Sequence, residues 1–417
     1  MTKVSIIMPI YNGAEFIEKS IESVSKQTLK DIELICVDDG SEDNTLEVLK
    51  ELKEKYPFIR ILTQENQGSG KARNYGIDES EGEYIAFLDA DDIFVDEMAL
   101  EKMFDLGHGQ SMPMVCANLK KLSPSGKPIY NPNYRDNNYY EFTDYECIKP
   151  EEYGVPWAFY KNIYRKSFLD EYDIRFRDLI RGQDPVFLAE VLAHVDEIYG
   201  IPLSLYAYLF PVSGKPYIKV NSHKKKLHYI THYKMTFDIF DENGLSALSE
   251  KYKPKFLNYL RYSVRAKDFE IYDIIIDLFG KKNHYFDNFA NEFMHFKISH
   301  LLNRIYLENN EEFFQEAKKE LSTYEVWNNP LITSDNFRLM SLVNACETFE
   351  DFQKQYPSVY VLSLKDENKE LRKKKRGLEE KRDRLKKNLE KRKRDYNSIV
   401  NSSSMKVAAP FKKYMRR

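Results

Sequence analysis

Two acidic clusters, Asp38-Asp39 and Asp89-Ala90-Asp91-Asp92, each follow directly on a short apolar run. Carboxylates are hard oxygen ligands. An Asp-x-Asp at a chain reversal sets alternate carboxylates side by side, which suits a Mg²⁺ or Mn²⁺ ion bridging phosphates. Alone this is a weak signal, because surface turns are rich in Asp. No GxxxxGK[ST] is present, which excludes a P-loop. No GxGxxG follows a strand, which argues against the dinucleotide fingerprint. Cys36, Cys116, Cys147 and Cys346 are far apart and form no CxxC pair. They predict neither a disulfide framework nor a thiolate zinc site, but reduced thiols in a cytosolic compartment.

The elements that must hold these acids alternate. Val4–Met8, Ile32–Val37, Ile59–Leu62 and Tyr84–Leu88 read as strands. Ala14–Lys26, Glu42–Lys55 and Lys71–Glu79 read as helices. Apolar strands between amphipathic helices predict a parallel sheet covered on both faces. Ligands then bind outside the carboxyl ends of the strands, where both acidic clusters fall. Residues from about 93 to 215 are less regular and rich in Tyr, Asn and Pro, the composition of specificity loops. From His223 to about Ser363 the spacing is helical: Phe256, Leu260 and Val264, then Ile271, Ile274 and Ile275. Leu364, Leu371, Leu378 and Leu385 recur every seven residues, a coiled-coil seam. Its companion positions are Asn368, Lys375, Arg382 and Leu389, so a solvated single helix is the competing reading.

Three stretches in order, VSIIMPIYNG, VDDGSEDNT and QENQGSGKARNYGIDESEGEYIAFLDADD, make the acidic clusters specific. Over about residues 3–95 the chain resembles glycosyltransferase family 2, inverting enzymes with the nucleotide-sugar-binding fold called GT-A. A further match covers 157–191, WAFYKNIYRKSFLDEYDIRFRDLIRGQDPVFLAEV. The resemblance implies that Pro9, Tyr11 and Asp39 line the base and ribose of a UDP-type donor. Asn66 and Arg73 would lie near the ribose and phosphates, Asp89 would hold the ribose, and Asp91 would bind the metal. Asp38 and Ala90 complete the expected donor set. Asp184 corresponds to the general base that takes the proton of the attacking hydroxyl. The family's usual Glu before it is Gln183 here, a departure that bears on acceptor orientation and on the proton affinity of Asp184. His223 falls where related enzymes sometimes put a His or basic residue near the diphosphate, and is a second metal candidate. Plainer roles stand beside these: Asp38 and Asp39 as caps of the following helix, Asp184 as a helix N-terminal acid, and Trp157 as a core aromatic rather than a sugar platform.

The expected architecture is therefore an α/β GT-A domain over 1–220 with a Rossmann-like, mostly parallel sheet. An all-helical domain (221–363), a coiled coil (364–396) and a basic amphipathic tail (397–417) follow. The expected function is metal-dependent inverting transfer from a nucleotide sugar to a hydroxyl of a cell-surface glycan or glycolipid, with Mn²⁺ or Mg²⁺. Its rival is a non-catalytic sugar-nucleotide-binding or scaffolding relative. A nucleotidyltransferase shares the acidic α/β logic but not the QDPVF segment.

Charge bears on partners. The net charge is −3, yet residues 365–417 carry 21 Lys and Arg against 8 Asp and Glu, or +13, which leaves −16 for the rest. An acidic body argues against nucleic acid as a partner. The basic tail, with Met405, Val407, Phe411 and Met415, suits an anionic membrane surface, and the leucine seam suits a homo-oligomer. The short N-terminal apolar run reads as a buried strand, not a signal peptide, and no stretch approaches a membrane span. A cytoplasmic location follows, with the inner face of the membrane as a place of work for the tail.

Overall fold

A computed structural model describes residues 2–123, 125–128, 140–209, 222–265, 270–279, 298, 300–302, 304–305, 308–322 and 334–356. Contacts divide the chain into two compact units, residues 1–292 and 293–417. The coiled coil and tail expected beyond residue 363 lie outside the described residues.

The first unit opens with β1 (Val4–Ile10), α1 (Ile17–Ser25), β2 (Ile32–Asp38), α2 (Thr45–Lys55), β3 (Ile59–Thr63), α3 (Ser69–Asp78) and β4 (Tyr84–Phe87). β1 is buried along its whole length, the signature of a central strand covered on both faces. α3 reaches one face through Gly76, where a Cβ would come within 2.5 Å of Ile7. α1 covers the other, burying Ile17, Ile21 and Val24. Parallel register pairs Ile10 with Asp38 and Ile7 with Phe87. β1 and β2 thus end together and β4 stops three residues short of them, so that residues 88–90 run on beside the end of β1.

The stretch from 93 to 215, expected to be loop-like, completes the sheet instead. It supplies β5 (Ile93–Phe94), α4 (Ala99–Gln110), β6 (Met114–Leu122), β7 (Glu146–Ile148), β8 (Asn162–Arg165), α5 (Lys166–Glu171), α6 (Gln183–Ala193) and β9 (Ile198–Leu209). Among the described residues nine strands form one sheet, ordered β3-β2-β1-β4-β8-β6-β9-β5, with β7 paired to β9. β8 runs antiparallel to β4 and β6, and β5 and β7 antiparallel to β9. The sheet is therefore mixed beyond β4. β5, β7 and β8 have only two to four residues, too short a period to read by alternation, and the longer β6 and β9 find their partners far away in sequence.

The helical expectation after residue 222 is met by α7 (His223–Glu242), α8 (Ser246–Arg265) and α9 (Glu270–Phe279). Phe256, Leu260, Ile271, Ile274 and Ile275 are all buried there. These helices belong to the same compact unit as the sheet, and α7 packs on α6. In the second unit α10 (Glu311–Leu321) and α11 (Ser334–Ala345) contribute Phe314, Leu321, Met340 and Val343 to a separate apolar core. No helix among the described residues is long and apolar enough to cross a membrane.

Candidate active site

A cleft of about 330 Å³ opens at the rim where β1, β2 and β4 end. Pro9, Tyr11, Asn12 and Gly13 line it from the end of β1, Ser69 and Arg73 from α3, and Asp89, Ala90 and Asp91 from the turn after β4, with Phe16 at the entrance to α1. Five of the predicted donor residues and the predicted metal ligand Asp91 thus meet at one opening. Tyr11 and Phe16 are both large, exposed aromatics, suited to stacking on a planar ring. No signal in the sequence marked Phe16.

The turn 89–92 is fastened from behind. Ser20 Oγ on α1 donates to the Ala90 carbonyl at 2.7 Å and to the Asp92 carbonyl at 2.6 Å. Asp92 is buried, and its carboxylate accepts from Tyr206 Oη at 2.5 Å and from the Leu209 amide at 2.8 Å. Burial pushes Asp92 up to about 8, with the carboxylates of Asp89 and Asp91 adding to the shift. It anchors the turn to β9, leaving Asp89 and Asp91 to face the cleft.

Arg73 is the centre of the arrangement. Its side chain is only 5% exposed. It holds Asp89 Oδ1 at 2.7 Å and Asp184 Oδ1 at 3.4 Å. Its guanidinium also lies 4.9 Å from the Phe159 ring centroid and 5.2 Å from that of Phe176, within cation–π range. Burial opposes its charge, but Asp89 and Asp184 outweigh that and hold it protonated. Nothing in the spacing of Phe159 and Phe176 announced this contact; it depends on residues 86 and 103 positions from Arg73.

Asp184 stands in the first turn of α6, after Gly182 in a left-handed conformation (φ +86°). The helix-N-terminal reading holds for it, and although it does not line the cleft it pairs with Arg73, which does. Protein encloses the carboxyl, yet 30% of its side chain stays open. Burial pushes Asp184 up to about 6; Arg73 opposes the shift and Asp89 adds to it. A carboxylate poised there is basic enough to take a proton near neutral pH. The segment before it is docked on α3 by a reciprocal pair, Asn74 Nδ2 to the Phe176 carbonyl and the Phe176 amide to Asn74 Oδ1, both 2.8 Å. Gln183 is buried and donates to Ser69 Oγ at 3.1 Å, tying α6 to α3.

Other expected residues lie elsewhere. Asp39 is buried, and its carboxylate accepts from Gln64 Nε2 (2.7 Å) and from the amides of Gln67 and Gly68 (both 2.8 Å). It shapes the 64–68 loop and does not line the cleft. Asp38 is also buried, its Oδ1 3.4 Å from the Ser41 amide. Neither caps α2, whose first residue is served by Asp43 through the Thr45 amide at 3.0 Å. Asn66 is exposed on that loop, its amide 2.9 Å from where a Cβ on Gly40 would stand. His223, at the start of α7, is exposed and ion-paired with Glu270 at 2.6 Å, away from the cleft lining. Trp157 packs edge-on against His232, ring centroids 5.9 Å apart, as a core-side aromatic.

Among the described residues no three His, Cys, Asp or Glu side chains are grouped to hold a metal by themselves. Mg²⁺ sites commonly take one or two carboxylates and complete the shell with substrate phosphates and water. Asp91 with Asp89 nearby is such a partial donor set, and fits an ion that arrives with a diphosphate.

The comparisons agree with this geometry. The model of glycosyl transferase family 2 matches residues 5–168. The uncharacterized glycosyltransferase EpsJ of Bacillus subtilis is 28% identical over 55% of this chain and 70% of its own length. The cholesterol galactosyltransferase of Borreliella burgdorferi is 38% identical over 28% of this chain and 32% of its own length. The poly(ribitol-phosphate) beta-glucosyltransferase of Bacillus spizizenii is 34% identical over 30% of this chain and 20% of its own. Among solved structures, Staphylococcus aureus TarS 1–349 aligns with a TM-score of 0.48 at 17% identity, covering 85% of this chain and 91% of that one. Acidic strand-end turns around one cleft and a family match over much of the sheet that forms it converge: residues 5–168 make up a glycosyl transferase family 2 domain, and the chain is a glycosyltransferase.

Proposed function

We propose that this enzyme moves a sugar, with inversion, from a UDP-type nucleotide sugar to a hydroxyl of a cell-surface glycan or glycolipid. The observation that carries the reading is the double ion pair of Arg73, which sets Asp89 of the donor cleft and Asp184 on opposite sides of one guanidinium. A donor carboxylate and a raised-pKa carboxylate kept apart by one buried cation are what single displacement needs.

In this reading Tyr11 and Pro9 hold the base, Asp89 the ribose and Asp91 a divalent ion. That ion, Mn²⁺ or Mg²⁺, supplies charge neutralisation for the departing diphosphate. Asp184 accepts the proton of the acceptor hydroxyl as its oxygen attacks the anomeric carbon from the face opposite the diphosphate. The bond from that carbon to the diphosphate oxygen breaks with its electron pair leaving on oxygen. Arg73 stays charged throughout and keeps Asp184 oriented. Gln183, without a charge of its own, leaves Asp184 the acid–base group of its pair.

Relatives named for glucosylation of poly(ribitol-phosphate) and galactosylation of cholesterol match only 30% and 28% of this chain, so acceptor choice is assigned to segments that differ from theirs. The basic tail is assigned to an anionic cytoplasmic membrane face and the leucine seam to self-association. The deciding experiment is UDP release from a panel of UDP-glucose, UDP-galactose and UDP-N-acetylglucosamine, with Mn²⁺ and with EDTA. Turnover of at least one donor that requires the metal is expected. No turnover of any, with UDP still bound, would favour the non-catalytic scaffold instead.

A further inference from the structure

The turn that presents Asp184 is held by a helix the transfer reaction does not otherwise use. The Ile180 amide donates to Nδ1 of His228, on α7, at 2.9 Å. One helical turn on, His232 lies against Gly182, where a Cβ would come within 2.3 Å of the imidazole. His232 is fully buried, and its Nε2 is 3.0 Å from Tyr252 Oη on α8. Residues four apart share a helix face, so both histidines address the same turn. On the opposite side that turn meets Gln183–Ser69 and Asp184–Arg73.

The chemistry of the first contact is defined. A backbone N–H can only donate, so His228 Nδ1 accepts and its ring proton sits on Nε2. Burial, with Lys224 adding to it and Asp178 opposing, holds His228 below the usual imidazole range, in the neutral form that this bond requires. The second contact is steric: Gly182 needs its positive φ, and the His232 ring fills the space that any side chain there would occupy.

We propose that His228 and His232 are positioning residues that brace the 180–184 turn, so that Asp184 stands within reach of the acceptor hydroxyl. Neither histidine lines the donor cleft. The inference rests on Asp184 being the base. It makes α7 part of the catalytic apparatus although it lies beyond the sheet.

The test uses the full chain, UDP affinity by calorimetry with Mn²⁺, and UDP release from the best donor of the panel. His228→Leu should lower kcat about 10- to 100-fold, the cost of a base displaced by about 1 Å, with UDP Kd unchanged. His228→Asn, whose amide oxygen can stand where Nδ1 stands, should recover most of that rate; His228→Gln, with its oxygen one carbon further out, should not. Gly182→Ala should lose rate in the same way as His228→Leu. Equal rates for the Asn and Gln variants would overturn the brace, as would a loss of UDP affinity in step with the loss of rate. Asp184→Asn, measured alongside, separates the two claims. If it turns over normally, the base assignment fails; if it is inactive while His228→Leu is normal, the brace alone fails.

Discussion

The lining of the cleft and the Asp184 turn beside it are built by different means. In the lining, Pro9, Tyr11, Asp89 and Asp91 sit within a few residues of strands locked in parallel register. Their positions follow from where the strands stop. Asp184 does not line the cleft and reaches it through Arg73; it hangs on a turn held by side chains from α3 and α7, among them Asn74, Ser69, Arg73 and His228, 44 to 115 residues away in sequence. The contrast teaches that backbone ladders place the carboxylates of the cleft and side-chain contacts place Asp184. Under the proposed function, damage to the cleft lining should appear in affinity, and damage to the Asp184 turn in rate alone.

Asp184→Asn is the sharpest test of that division. Transfer should fall by about two to four powers of ten with UDP affinity unchanged by calorimetry; a parallel loss of affinity would erase the distinction. Asp91→Ala should instead cost donor affinity together with the metal-dependent part of the rate. The gain in UDP affinity on adding Mn²⁺, typically about 5- to 150-fold for coupled ligands, should vanish, and equal binding with and without EDTA in the parent would remove the metal from the cleft.

Arg73 lines the cleft and pairs with Asp184, so Arg73→Met should disturb both. Its loss leaves two partly buried carboxylates without their cation, a change that costs about 3 kcal/mol in such settings and is readable in the denaturant midpoint. Donor affinity and rate should fall together. Unchanged stability would show that the pair is too open to water to matter.

The pH profile gives a smaller effect. Only ionised Asp184 can accept a proton, and burial has raised it to about 6. Activity should therefore climb as pH rises through about 6 and fall about tenfold per pH unit below it, while UDP affinity does not follow that limb. A rate already at its plateau at pH 5 would contradict the assignment. The smallest effect is expected from deleting residues 364–417: donor turnover in solution should stay, while sedimentation and flotation with anionic vesicles should change. Lys375 and Arg382 would sit beside the seam and repel their copies, so self-association through it should strengthen with salt. Identical mass and flotation for both chains would remove the tail from the mechanism.

The amino-acid sequence determined the first half of the sheet, the acidic clusters at its strand ends and the identity of Asp184. Each is encoded within about ten residues, by apolar periodicity or by a motif, and survives without knowledge of the rest of the chain. Tertiary structure decided the remainder. It bound Asp39 into the 64–68 loop, paired His223 with Glu270, and folded the described residues between 93 and 209 into the mixed half of the sheet. It also set α7 behind Asp184. In each case the partner lies dozens of residues away, and its choice depends on how layers pack, on which side chains reach a buried polar group and on where a glycine leaves room. A local pattern carries none of that information.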